Sequence, residues 1–325
     1  MTKSRSQWIV LVVLALLGLA LPVLAPGQPV HYAILALNGV LWTLGLNFFF
    51  GYCGQINFGV AGFAAVAGYG LALLAVKVKL PLGLSFLLAI VGTALVTYLA
   101  SLVLLRLREL VLGLGTLAFS LMVYMTVRSG FIDLTGGEDG ISLPKLVLFG
   151  SKMGDQFYYY VYLVAGALGL YVAYAVLHSR TGRAMRAIAE DEDAAIASGV
   201  DVRRYMRLAL LLNGVYAGVA GAIYVQWNGW VSPEYFGLMA NVLVLLALVV
   251  GGTGRPLGAV VGALLMFPLP QALIALEKYH YVIYGLILIL MLRFAPHGLV
   301  GLVQPLAGRL SAARKQEARL PRGAA

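Results

Sequence analysis

The chain has 325 residues, of which 61% are hydrophobic and 11% charged. A soluble domain averages ~45–50% apolar and ~25% charged residues, so a soluble enzyme, a disordered chain and a disulfide scaffold are excluded. The net charge is +10, from 23 bases and 13 acids. No Asp, Glu, Lys or Arg occurs between Arg5 and Lys77, a run of 71 residues. One bilayer span needs roughly 20 apolar residues, so that run holds about three. The composition is that of a polytopic integral membrane protein.

Taken in chain order, charges and turn residues divide the sequence into ten predicted spans: 8–26, 31–50, 56–76, 81–105, 110–127, 157–177, 208–227, 236–254, 257–276 and 279–293. The runs are too long for strands and lack the alternation of lipid-facing barrel strands, so an all-α bundle is predicted. Eight or nine spans also fit, because 31–50 and 56–76 can be read as one helix plus a re-entrant piece. The first run, after Lys3 and Arg5, resembles a signal peptide in outline. Leu24-Ala25 before Pro26 offers no small-x-small cleavage pattern, and more span follows, so a retained helix is preferred. Gly214 with Gly218, and Gly258 with Gly262, have the spacing of close helix contacts. Leu-Asn-Gly-Val occurs at 37–40 and again at 212–215, a slight hint of internal symmetry. Cys53, the one cysteine, reads as a small packing residue.

With the N-terminus inside, the inner segments carry 17 bases and 7 acids, and the outer ones 6 of each. The whole net charge therefore falls on one side, as the positive-inside rule requires, and both termini are expected in the cytoplasm. Nucleic-acid binding becomes unnecessary as an explanation of the charge. The division is a transmembrane domain over 1–308, containing an inner loop at 178–207, and a basic tail over 309–325, either mobile or resting on anionic lipid.

Catalytic chemistry is missing from the sequence. Gly251 to Gly254 runs into Arg255-Pro256 and lacks the Gly-Lys-Ser/Thr of a phosphate loop. His31, His178, His280 and His297 are scattered, without metal-ligand spacing. No ionisable side chain sits deep within a span, whereas proton-coupled pumps and voltage sensors require one. Such a chain is either a passive channel or a subunit driven by a separate ATPase. The polar residues within spans are neutral, among them Asn38, Asn47, Gln55, Asn57, Thr116, Ser120, Asn213, Gln226, Asn241 and Gln271. For any one of these, a bond across helices is the favoured reading over a path lining. The cluster Gly51 to Gly59 stands apart, because three glycines in nine residues weaken a helix just where Gln55 and Asn57 offer hydrogen bonds. Asn38, Gln55, Asn57, Gly59 and Asn213 are the candidate path residues.

The loop from His178 to Arg207 is far longer than a helix connection needs. Thr181 to Ser198 reads as a short amphipathic helix or helix pair, with Arg180, Arg183 and Arg186 drifting round one face. Ala184, Ala187, Ile188 and Ala195 supply a small apolar face, the acids Glu190, Asp191, Glu192 and Asp193 follow, and Gly199 suits a left-handed stop. The bland alternative is a solvated, charge-mixed loop.

Asp193-Ala194-Ala195, with Gly199 after three more residues, resembles the Glu-Ala-Ala-x-x-x-Gly loop of ABC importer permeases, with Asp in place of Glu and no Ile-x-Leu-Pro beyond. The wider stretch Ser179 to Ile188 followed by Glu190-Asp191-Glu192 resembles the LivM branch of the branched-chain amino acid permeases. So do Gly54-Gln55-Ile56-Asn57-Phe58-Gly59, Leu134 to Gly140, Ser232-Pro233-Glu234, Gly251-Gly252-Thr253-Gly254 and Pro296-His297-Gly298-Leu299. The resemblance implies a subunit working with a second related permease, two ATP-binding subunits and a periplasmic solute-binding protein. It places ATP and Mg on the partner subunits and implies no cofactor on this chain. It further implies that the 181–199 segment docks on the ATPase, with Arg180, Arg183, Arg186, Glu190 to Asp193, Ala194, Ala195 and Gly199 as the coupling residues, in a bacterial inner membrane.

Overall fold

Apolar runs bounded by glycine, proline and charge fold as helices, because in lipid only a helix or a closed barrel satisfies its own backbone. The computed structural model of the chain describes residues 24–107, 109–148 and 151–272, with scattered positions at 18–22 and 282–300. The predicted spans 8–26 and 279–293 and the tail 309–325 lie outside the described residues or nearly so.

The helices are α1 (Gln28–Leu46, extended by a wider π turn, Asn47–Gly51), α2 (Val60–Val76), α3 (Leu82–Leu104), α4 (Glu109–Met125, with a π turn at Thr126–Gly130) and α5 (Asp155–His178). Two short helices follow, α6 (Arg180–Glu190) and α7 (Glu192–Ala197). Then come α8 (Val202–Asn228), α9 (Leu238–Gly251), α10 (Pro256–Met266) and the single turn α11 (Leu269–Ala272). Among the described residues five apolar helices are long enough to cross a membrane, and α2, α9 and α10 with α11 are shorter apolar helices. The eight predicted runs from 31 to 276 thus each contain helix, but the helix in 236–254 is shorter than expected. α9, with 14 residues, reaches about 21 Å at 1.5 Å per residue. Gly252 (φ +119) and Pro256 at the start of α10 turn the chain back early.

α1, α2 and α8 form the interior. α1 packs on α5, α8 and α10, while α2 packs on α8, α3 and α4. Glycines let the helices approach: Gly221 lies on the Ala64 carbonyl, Gly214 on Thr97 and Gly218 on Thr93. α3 shows the solvent that surrounds it. Ser85, Ala89, Thr93, Thr97 and Ser101, four residues apart, are buried, whereas Leu87, Val91, Leu95, Leu99 and Val103 are exposed. This reverses the pattern of a helix in water and fits close packing inside and acyl chains outside. The buried hydroxyls cost little because they bond their own helix, Thr93 to Ala89 O at 2.8 Å and Thr97 to Thr93 O at 2.7 Å.

The polar segments gather at two ends. At one end, Arg128 pairs with Glu138 at 2.6 Å and Lys77 donates to Asp133 O at 3.2 Å. Here β1 (Ile141–Ser142) pairs antiparallel with β4 (Trp230–Val231), in register Ile141 to Val231, and β2 (Val147–Leu148) pairs with β3 (Ser151–Lys152). At the other end, Gly54 lies against Ala189, and the Gly254 N–H donates to Asn47 Oδ1 at 2.9 Å. Gly298 packs on the backbone of Gly251 and Gly252.

Candidate functional site

The second of these ends holds the two segments singled out by sequence, the 178–207 loop and the glycine-rich break. α5 stops at His178, and Ser179 turns the chain, donating to Val176 O at 2.7 Å and capping α6 by accepting from Gly182 N at 3.3 Å. Gly182 is required there, since a Cβ would strike the carbonyls of Val176 and Leu177. α6 packs on α5 and α8 through a stripe of Gly182, Met185 and Ile188, all buried. Of the expected apolar face Ala184, Ala187, Ile188 and Ala195, Ile188 and Ala195 are buried, but Ala184 and Ala187 are not. Both alanines are only half-buried and Met185 takes the central place, because the Gly182 turn sets the helix rotation. This apolar face is covered by the chain's own helices.

Arg180, Arg183 and Arg186 are exposed. Arg183 and Arg186 fold back, donating to His178 O and Leu177 O, each at 3.4 Å, where cations favour a helix C-terminus. Asp191 breaks α6 from α7 with an extended backbone, and its Oδ1 accepts from Ala194 N at 2.9 Å. Gly199 (φ +81) ends α7. Its N–H donates to Ile196 O at 2.9 Å and that of Val200 to Ala195 O at 3.0 Å, the paired bonds of a Schellman stop. Ala195 is the buried residue of α7, while Glu192, Asp193, Ala194 and Ile196 are exposed, Ile196 at 54%.

The break runs from Gly54 to Gly59 between the end of the α1 helical run and α2. Irregular backbone survives at membrane depth only where the protein satisfies it, and side chains do so here. Thr116 Oγ1 accepts from Phe58 N at 3.0 Å, Asn57 Oδ1 from Gly59 N at 2.7 Å and Asn241 Oδ1 from Ala61 N at 2.9 Å. Asn241 is held by donating to Ser120 Oγ at 3.0 Å. Thr116 and Asn241 were among the neutral polar residues noted in the sequence, but nothing local marks them as caps for α2.

The five candidate path residues do not share one cavity. Asn38 sits in a closed aromatic network, donating to Tyr235 Oη at 2.5 Å and accepting from Tyr162 Oη at 3.1 Å. Asn57 and Gly59 belong to the α2 cap. Asn213 is fully buried on α8, and neither of its amide atoms has a partner among the described residues. Gln55 alone among the five lines a cavity of about 440 Å³. Its walls are Cys53 to Ile56 from the break and Ile188 to Asp193 from the loop. Helix break and loop thus meet directly across this space, although their sequences lie more than a hundred residues apart.

Among the described residues no group of three His, Cys, Asp or Glu side chains is placed to hold a metal ion. Outward apolar stripes, several membrane-length helices and an exposed helical loop define a polytopic helical membrane protein. The family model described as "Branched-chain amino acid transport system / permease component" matches residues 29–292. The chain belongs to that family of transport permease subunits, which are not enzymes. Its relatives include "High-affinity branched-chain amino acid transport system permease protein LivM" of Escherichia coli (strain K12), 29% identical over 93% of this chain and 77% of the relative. The corresponding LivH protein of Salmonella typhimurium is 32% identical over 53% of this chain and 59% of its own. The "Probable branched-chain amino acid transport permease protein LivM" of Methanocaldococcus jannaschii is 24% identical over 60% of this chain and 61% of its own. No solved structure matches the chain.

Proposed function

We propose that this chain is a membrane-spanning permease subunit of an ATP-driven importer for branched-chain or related amino acids in a bacterial inner membrane. It crosses the bilayer about ten times with both termini in the cytoplasm, pairs with a second, LivH-like permease, and receives solute from a periplasmic binding protein. Two ATP-binding subunits carry the ATP and Mg. The observation that supports this reading is the seating of the loop on the helix break. Closure of the nucleotide-binding subunits pushes α7, α6 transmits the push to residues 53–56, and the interior helices alternate between outward- and inward-open arrangements. The excess of bases on the loop end agrees with a cytoplasmic position.

Reconstitution tests the proposal. Proteoliposomes holding this chain with its partner permease, the ATP-binding subunits, the binding protein and ATP are expected to accumulate leucine. Liposomes with this chain alone are expected to be tight, and solute flux through them would establish a passive channel instead. Ile196→Asp, on the exposed face of α7, is expected to lower uptake by about tenfold or more while insertion is unchanged. Full uptake by that variant would remove α7 from the coupling path.

A further inference from the structure

We propose that Asn213 and Trp42 hold the polar end of a net-neutral, zwitterionic solute, and that Tyr235 is the lid that covers them. Buried polar groups are ordinarily paired, and these two are not. Asn213 is 0% exposed with neither amide atom partnered, and Trp42 is 1% exposed with Nε1 unpartnered, among the described residues. Asn213 lies near the middle of α8 (Val202–Asn228), the depth at which transporters place their solute sites. Gly45 of α1 packs against it, so closely that a Cβ there would lie 3.2 Å from Asn213 O. Trp42 precedes Gly45 by three residues, about 4.5 Å along the axis. The two stranded groups therefore occupy nearly one level of the α1–α8 contact. On α8, Asn213, Ala217, Ala220 and Tyr224 recur at helical spacing on one face. Gly214, Gly218 and Gly221 turn instead to α3 and α2.

Tyr235 closes the top of this face. It sits on the short turn Pro233–Phe236 between α8 and α9, at the end of the molecule that carries Arg128. Its hydroxyl accepts from Asn38 Nδ2 at 2.5 Å. Its ring stacks on Tyr224, with centroids 3.5 Å apart and planes 7° from parallel, and meets Trp42 edge to face at 5.7 Å. One side chain thus ties the turn to both α1 and α8. Tyr224 and Tyr235 are half-buried, whereas Asn38, Trp42 and Asn213 are fully buried, so the tyrosine pair is the outer layer. The ligand class follows from the stranded atoms. Asn213 offers an acceptor and amide donors, and the Trp42 indole offers a further donor. An ammonium and a carboxylate on one carbon present the matching pair. A solute with net charge would lack a counter-ion, since no ionisable side chain sits deep within a predicted span. Ala217 and Ala220 leave room beside Asn213 for an aliphatic side chain. The assignment rests on the permease reading, and it is tested without transport.

Thiol labelling of the full chain in right-side-out vesicles decides the matter, with Cys53→Ala as background and Ala217→Cys as the reporter one turn from Asn213. A small impermeant methanethiosulfonate added outside is expected to react about tenfold faster once Tyr235→Ala is also present. Equal rates, or no reaction in either, would overturn the lid. In the lidless protein, L-leucine is expected to slow the reaction, while isovalerate and isopentylamine, each with one of its two charges, are not. Protection by either charged analogue equal to that by leucine, or no protection by leucine, would overturn the ligand class. Asn213→Leu is expected to abolish the protection yet keep the thermal midpoint, because the stranded amide makes no bond to lose. Retained protection, or a midpoint that falls, would overturn the role of Asn213. Should Ala217→Cys fail to fold, Ala220→Cys on the same face carries the same measurements. Lid-dependent labelling with leucine protection, but without ATP-driven uptake in the reconstituted complex, would overturn the transport reading and leave the site standing.

Discussion

Neutral amides and hydroxyls do two different jobs in this bundle, and the difference lies in what they touch. Asn241 closes a gap in the backbone bonding of α2, so its loss strands the Ala61 N–H in the interior. Asn241→Ala is expected to destabilise the protein by about 1–3 kcal/mol, seen as a lower thermal midpoint in detergent. An unchanged midpoint would mean that another group takes over the cap. Thr97 donates only to its own helix, so Thr97→Val is expected to shift stability by less than about 0.5 kcal/mol. A larger loss would mean that the hydroxyl bonds across helices. Both residues are buried, neutral and polar, and the sequence singles out Asn241 but not Thr97. Their different roles depend on partners that sequence proximity does not reveal, since Asn241 and Ala61 are 180 residues apart.

Helix ends and helix contacts set the shape of the elements. Gly199 holds φ +81 at the end of α7, a conformation that costs a β-branched residue about 1–2 kcal/mol. Gly199→Val is therefore expected to speed hydrogen exchange over residues 192–198 while the long helices keep their protection. Uniform loss of protection would indicate global unfolding instead. α9 and α10 approach so closely that a Cβ at Gly262 would coincide with the Ala247 carbonyl, and one at Gly251 with that of Gly258. Gly262→Leu must force the pair apart, at a cost of about 3 kcal/mol, read as loss of monodisperse protein. The glycine spacing in the sequence indicates a contact face. It does not indicate that the face closes so tight a hairpin that backbone meets backbone.

At the scale of the whole molecule, the apolar stripes of α3, α4 and α5 face outward and the small-residue faces of α1, α2 and α8 face one another. The proposed orientation puts the loop end in the cytoplasm. With Cys53→Ala as background, single cysteines at Ser198 and Ser142 test it: an impermeant maleimide added outside right-side-out vesicles is expected to label Ser142→Cys and spare Ser198→Cys. The reverse pattern would invert the topology and detach the loop from any cytoplasmic ATPase.

Membrane residence, helical class, the approximate place of each long described helix, the break near Gly54 and the Gly199 stop were all legible in the sequence. Each follows from local chemistry, such as apolar length, glycine conformational freedom or the absence of charge. Tertiary structure alone decided that α6 buries Met185 rather than its alanines, and that Asn57, Thr116 and Asn241 cap α2. It also decided that Asn38 is enclosed by tyrosines, and that Gln55 faces the acids of a loop more than 130 residues further on. The opening arithmetic of few charges and a positive excess therefore specifies the solvent and the sidedness expected of this chain. Which neutral side chain meets which partner is settled by packing between distant segments, and no local pattern encodes it.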